Sequence, residues 1–173
     1  NNTTANNNVA LGLDALMTNT TGANNVAVGK DALRDSTTAS NNTAVGHNAL
    51  TSNTTGTQTA VFGYQAGDSI TTGGAHTIIG YQAGQAVVDV DHNTLVGQAA
   101  GYSITGGNNT IAGSNAGYYL TTGTNNVAFG KDAMQGVSTG ATAANNVAIG
   151  LSSLIAVTTG GTNVAVGNYS MAA

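Results

Sequence analysis

Asn24-Asn25-Val26-Ala27-Val28-Gly29, followed by Lys30-Asp31-Ala32-Leu33, is one copy of a unit that fills the chain. Take the glycine that closes the short apolar run as an anchor. It recurs at Gly12, Gly29, Gly46, Gly63, Gly80, Gly97, Gly113, Gly130, Gly150 and Gly167. The spacings are 17, 17, 17, 17, 17, 16, 17, 20 and 17 residues. Further copies are clean at Asn125–Gly130 and Asn145–Gly150. Four places before the anchor stands Asn, except at Thr59 and His76; three places after it stands Ala, except at Ser153 and Ser170. A polar stretch then leads to Thr-Thr-Gly, as at Thr54-Thr55-Gly56.

A period of 17 is too short for a pair of helices, which takes roughly 33 to 47 residues per repeat. The apolar pieces are short and rich in Val, Ile and Thr, which favour strands. We therefore expect an all-β chain, a single-stack parallel β-solenoid of about ten coils over residues 1–173. Strand one is expected across Asn-Asn-Val-Ala-Val. The anchor glycine turns the first corner, where a residue without Cβ is least costly. A second strand is expected to start near Ala-Leu, and Thr-Thr-Gly makes the second corner. Coils at about 4.8 Å give a rod of about 50 Å. Proline, absent from the chain, would break such a ladder. Stacked Asn and Thr rows can bond along it, and Asn also tolerates tight turns.

The composition excludes several classes. Charged residues are 6% of the chain and the net charge is −4, so three Lys+Arg cannot make a nucleic-acid footprint. Without Cys, neither a disulfide scaffold nor a thiolate zinc site can form. No apolar run is long enough to span a membrane. The chain opens on Asn1-Asn2-Thr3-Thr4 and is expected to be a piece of a longer fibrous protein.

Two patterns inside the repeat speak to packing. In units one to three, the residues two before and four after the anchor are Ala10/Leu16, Ala27/Leu33 and Ala44/Leu50. In units four to seven they are Val61/Gly67, Ile78/Gly84, Leu95/Gly101 and Ile111/Gly117. The last three return to Ala128/Met134, Ala148/Leu154 and Ala165/Met171. One small and one large residue per unit implies one shared space. The middle units add Ile70, Val87, Ile104 and Leu120, so a repacked core is expected there. The second pattern is a strand apolar on both faces, which is usually covered on both. One side of strand one carries Val26, Val28, Val45, Ile79, Val96, Val127, Phe129, Val147, Ile149, Val164 and Val166. These are the expected core or interface residues, and the simplest cover is a second copy of the chain.

The tandem Asn-Asn-Val-Ala-Val-Gly-x-x-Ala motif resembles the head repeats of trimeric autotransporter adhesins, the YadA-like heads. The resemblance implies a left-handed β-roll, three chains packed side by side, and a place at a cell surface with a host protein or glycan as receptor. Asn42-Thr43-Ala44-Val45-Gly46 is similar also to repeats of bacteriophage tail fibres, which are commonly trimeric. The longer coil and the Thr-Thr-Gly corner depart from the adhesin pattern. The expected localisation is extracellular, at a cell surface or on a virion tail fibre.

Chemistry finds little purchase. No Gly-x-Ser-x-Gly and no Gly-x-Gly occurs, so no nucleophile elbow, dinucleotide fingerprint or phosphate loop is expected. We expect no enzyme activity and no cofactor. Asp14, Lys30-Asp31 and Lys131-Asp132 read as solvated corner charges. The unusual patch is Asp89-Val90-Asp91-His92, in a corner that elsewhere holds Thr-Thr-Gly. With His76 a coil away, Asp89, Asp91 and His92 are weak candidates for a divalent cation, and no metal is expected. Tyr64, Tyr81, Tyr102, Tyr118 and Tyr119 cluster in the middle units as a candidate contact surface. The three extra residues of the eighth unit are expected to bulge as a loop in Gln135–Ala144. Paired Thr at 37/38, 54/55, 71/72 and 121/122 raise an ice-binding face as a third reading, although adjacent Thr before Gly look like a corner.

Overall fold

Three residues before each anchor the chain becomes extended, and ten such segments stack in chain order. The computed structural model describes residues 4–172. Its strands are β1 (Val9–Leu11), β2 (Val26–Val28), β3 (Thr43–Val45), β4 (Ala60–Phe62), β5 (Thr77–Ile79), β6 (Thr94–Val96), β7 (Thr110–Ala112), β8 (Val127–Phe129), β9 (Val147–Ile149) and β10 (Val164–Val166). They form one parallel sheet in the order β1 to β10. The register is set by the repeat: Val26 pairs Thr43, Ala27 pairs Ala44 and Val28 pairs Val45. This is the expected β-solenoid, with coils about 17 residues long.

The strands are shorter than the expected five residues, for a backbone reason. Five places before the anchor the residue is left-handed, as at Asn24 (φ 60°) and Asn41 (φ 63°). At the other end the anchor itself is outside the reach of L side chains, with φ 141° at Gly80. A Cβ built on Gly80 would lie 2.2 Å from the carbonyl oxygen of Gly97 in the next coil. Conformation and stacking therefore both demand glycine at this corner.

The expected second strand is absent from the described residues. Two and four places after the anchor the backbone is left-handed again, as at Asp31 (φ 57°) and Leu33 (φ 50°). A β-strand cannot be built on alternate positive φ angles. Stacked turns take its place. The Ala32 amide donates back to the Gly29 carbonyl, the Asp31 amide to Leu13 in the coil before, and the Leu33 amide to Ala49 in the coil after. Both sides of the coil are thus stitched to their neighbours, one by strands and one by turns.

The rows of Asn do both things the sequence allowed. The row five places before the anchor takes the left-handed turns. The row four places before it is an internal ladder. Asn25 Oδ1 accepts the Asn42 amide (3.0 Å), and Asn25 Nδ2 donates across the coil to the Ala39 carbonyl (2.8 Å). Amide-to-side-chain links run unbroken from Asn8 to Asn163. The two exceptions keep the pattern: Thr59 Oγ1 accepts the His76 amide, and His76 Nδ1 accepts the Asn93 amide (3.1 Å). His76 Nε2 donates to the Val90 carbonyl (2.8 Å), as the Asn amide does elsewhere. The ring is therefore a neutral tautomer with the proton on Nε2, assigned from its partners.

The core is a file of side chains down the axis. The middle strand residue points inward and is fully buried at Ala27, Ala44, Ile78, Leu95 and Ile111. The shared space inferred from sequence is present. A Cβ on Gly117 would lie 2.7 Å from Ile111 Cδ1, and one on Gly101 would lie 2.8 Å from Leu95 Cδ2. Ile70, Val87, Ile104 and Leu120 complete the middle core, each fully buried. The extra residues of the eighth unit make a smaller loop than expected. Gly140 turns back onto the Val137 carbonyl (2.8 Å), and Ala141 already rejoins the stack, bonded to Tyr119 and Thr121.

Candidate functional site

The outer face of the sheet is built from the residues that flank the buried one in each strand. Alternation sends them outward. All eleven residues expected at a core or interface lie on this face, and none is in the buried core. The core half of that reading is corrected: the sheet's inner face is lined by the middle strand residues instead. Val26, Val28, Val45, Val127 and Val147 are half-buried by their neighbours. Ile79, Val96, Phe129 and Ile149 are exposed, and Val164 and Val166 more so. Phe62, 41% exposed, belongs to the same row and was not singled out from the sequence, although its place one before Gly63 is the same signal. The result is an apolar stripe along the whole sheet, broken by Thr43, Thr77, Thr94 and Thr110. Such continuous stripes are unusual on a solvated surface.

The Asp89–His92 corner has a structural use. Its coil lacks the Thr whose carbonyl receives the preceding coil's Thr row. Asp89 Oδ1 fills in, accepting the Thr71 hydroxyl and the Thr72 hydroxyl (2.9 Å). Those donors hold the Asp89 carboxyl below its ordinary range. Asp91 Oδ1 accepts the Gly74 amide (2.8 Å), where Ser40 Oγ takes the Ala23 amide lower in the stack. His76 has both ring nitrogens engaged with backbone and none to give a cation. Burial pushes its pKa down, against the pull of the Val90 carbonyl and the Asp91 charge. No group of three His, Asp or Glu side chains stands at metal-holding distance among the described residues.

Beside this corner lies an open groove of about 220 Å³. Its lining includes Thr57, Gln58, Thr72, Ala75, Asp91 and His92. Ala75 occupies a position that carries Asn41, Gln58, His92 and Asn108 in other coils, so it presents the shortest side chain of that row to the groove.

The tyrosines separate into two stacks rather than one cluster. His47, Tyr64 and Tyr81 follow successive anchors by one place and stack at 5.3 Å, with planes 11° and 8° apart. Tyr102 and Tyr118 stack at 4.7 Å, and Tyr119 meets Tyr118 edge-on. Every cation is tied to the acid that follows it: Lys30 to Asp31, Arg34 to Asp35 and Lys131 to Asp132. The Arg34 guanidinium holds the Asp35 carboxyl below its usual range. In the paired Thr rows the first hydroxyl is used internally: Thr37 donates to the Thr54 carbonyl and Thr54 to Thr71.

The fold and these surfaces define a low-charge parallel β-solenoid with one apolar side. No family model, no curated protein and no solved structure matches the chain. No helix among the described residues is long and apolar enough to cross a membrane.

Proposed function

We propose that this chain is a non-enzymatic structural and adhesive fibre segment, working as a homotrimer at a cell surface in the manner of a trimeric adhesin head. The observation that carries the reading is the outward apolar stripe through Phe62, Ile79, Phe129 and Ile149. A face of this kind is usually covered, and a second copy offers the same stripe in return. The number three comes from the resemblance of the repeats. Stiffness comes from coil-to-coil hydrogen bonding on both sides of the stack. Repeated weak contacts along a stiff rod add up through multivalency, and a host protein or glycan is the partner class. The 17-residue coil and Thr-Thr-Gly corner favour a second reading, a bacteriophage tail-fibre shaft or receptor-binding segment.

Light scattering on the size-exclusion peak is expected to give three times the 16.9 kDa chain mass. Ile79→Asp with Phe129→Asp is expected to give a folded monomer with an unchanged circular dichroism spectrum. A wild-type monomer overturns the assembly. Binding of the labelled trimer to extracellular matrix but not to bacterial envelopes supports the adhesin, and the reverse supports the fibre.

A further inference from the structure

We propose that the Tyr102–Tyr118 stack is an oxidative cross-linking site. A peroxidase using hydrogen peroxide would close it into a dityrosine bond that fastens the sixth coil to the seventh. The inference does not rest on the oligomer, because both rings belong to one chain.

Tyr102 and Tyr118 each stand five places after an anchor, Gly97 and Gly113, and so occupy the same place in successive coils. The Ser103 amide donates to the Tyr118 carbonyl (3.0 Å) and the Gly101 amide to the Ala116 carbonyl (2.8 Å), which pins the two turns together. The rings lie 4.7 Å apart with planes 5° from parallel. They are half-buried, so part of each ring stays open to an oxidant. Tyr119 meets Tyr118 edge-on, with centroids 4.6 Å apart and planes at 66°, so these two rings are not stacked face to face. Tyr64 and Tyr81 also stack, but their centroids are further apart at 5.3 Å, and Tyr169, 63% exposed, stacks on no ring among the described residues.

The chemistry balances as follows. Each phenol gives up its O–H hydrogen atom, leaving two phenoxyl radicals with spin density on the carbons ortho to oxygen. One ortho carbon of Tyr102 bonds to one of Tyr118. Each ring then moves its ortho hydrogen to oxygen and recovers its phenol. Two electrons and two protons pass to one peroxide, which leaves as two waters. In free tyrosine the coupling is bimolecular. Here the partner ring is already in place, at the high effective concentration of a positioned group.

The test treats the whole protein with horseradish peroxidase and hydrogen peroxide, then reads dityrosine fluorescence, intact mass and peptic peptides. The expected product is a single chain lighter by two hydrogens, with the bond between peptides that hold Tyr102 and Tyr118. Tyr102→Phe and Tyr118→Phe keep a stacking ring but no phenol, and each is expected to lose that link. Tyr119→Phe is expected to keep it. In urea the link within a chain is expected to fall sharply, and cross-linked protein is expected to unfold at a higher temperature than untreated protein. A product joined only between copies, a bond that maps elsewhere, or an undiminished Tyr102–Tyr118 yield in urea overturns the proposal.

Discussion

In the third coil Leu50 fills the space beside Ala44; in the seventh, Ile111 fills the equivalent space beside Gly117. The large side chain has the same number of carbons in both and the backbone beneath it differs. Leu50 stands at a left-handed position (φ 53°), where an L residue bears a penalty of roughly 1–2 kcal/mol. Gly117 holds that conformation (φ 61°) without it. The bulk in the seventh coil sits on the strand, where a β-branched residue fits well. The choice of side chains follows. The left-handed place carries Leu, Met or Gly and never Val or Ile; the strand place carries Val, Ile or Leu when it is large. The first coils also bury a polar residue, Ser36 or Asn53, where middle coils bury Ile70, Val87, Ile104 or Leu120 and the ninth buries Val157. Compared with the first coils, the middle of the rod thus combines more buried apolar surface with less backbone strain.

The corner glycines are common to both kinds of coil and set the largest expected effect. Gly80→Ala places a Cβ against the Gly97 carbonyl at a φ that L residues avoid. A destabilisation above about 3 kcal/mol is expected. Gly167→Ala meets nothing within 4 Å and faces only the φ penalty, so it is expected to cost about 1–3 kcal/mol. Urea unfolding of the two variants checks the difference. Equal losses would show that conformation alone, without coil contact, demands the glycine.

The swap itself is tested next. Ile111→Ala is expected to cost about 2–5 kcal/mol by opening a cavity. Gly117→Leu is expected to cost about 1–3 kcal/mol by overpacking, on top of the roughly 1–2 kcal/mol of a side chain at φ 61°. The three atoms nearest a Gly117 Cβ all belong to Ile111, so the double variant is expected to recover about 1–3 kcal/mol relative to the sum. Strict additivity would mean that the two positions do not share their space.

That swap was legible because ten copies in one chain act as their own alignment. The anchors, the period, the parallel stack and the buried middle residue of each strand were legible for the same reason. The second strand was misread: Ala32-Leu33 looks extended by composition, and nothing in residue type announces a positive φ at Leu33. The use of Asp89 was hidden too, because its role depends on which carbonyl a neighbouring coil lacks. The outward face could be read from alternation, and Phe62 lay within that rule. The division of the tyrosines into two stacks needed their two distances from the anchor, one place and five.

His76 marks the joint between the fifth and sixth coils and gives the rod a pH dependence there. In the fold its pKa is lowered, chiefly by burial, with Asp91 and His92 the charged groups nearest it. The unfolded value is about 6.5. Above that, both states hold the ring neutral and stability is full. As pH falls below it, the unfolded state takes the proton first and stability declines, levelling only below the folded pKa. Protonated Nδ1 can no longer accept the Asn93 amide, at a cost of about 1–3 kcal/mol. His76→Asn supplies the amide that other coils use. It is expected to match wild type at neutral pH and to remove the decline between neutrality and the carboxylate range. Thermal melts across that range decide it, and an unchanged decline would move the effect to another group.

The smallest expected effect returns to the outer coils. Ser36 is fully buried and its hydroxyl has no partner, at the position where Ile70 sits in the fourth coil. The Ser36 amide and carbonyl are used, by the Leu33 carbonyl and the Thr18 hydroxyl, so only the side chain is idle. A buried hydroxyl without a partner costs about 1–3 kcal/mol, less whatever room the site leaves for water. Ser36→Ala removes that cost without adding volume beside Leu33, and a gain of about 1 kcal/mol in urea unfolding is expected. If Ser36→Ala loses stability, the outer coils are not the weaker kind at this position, and the contrast between the two cores rests on the left-handed residue alone.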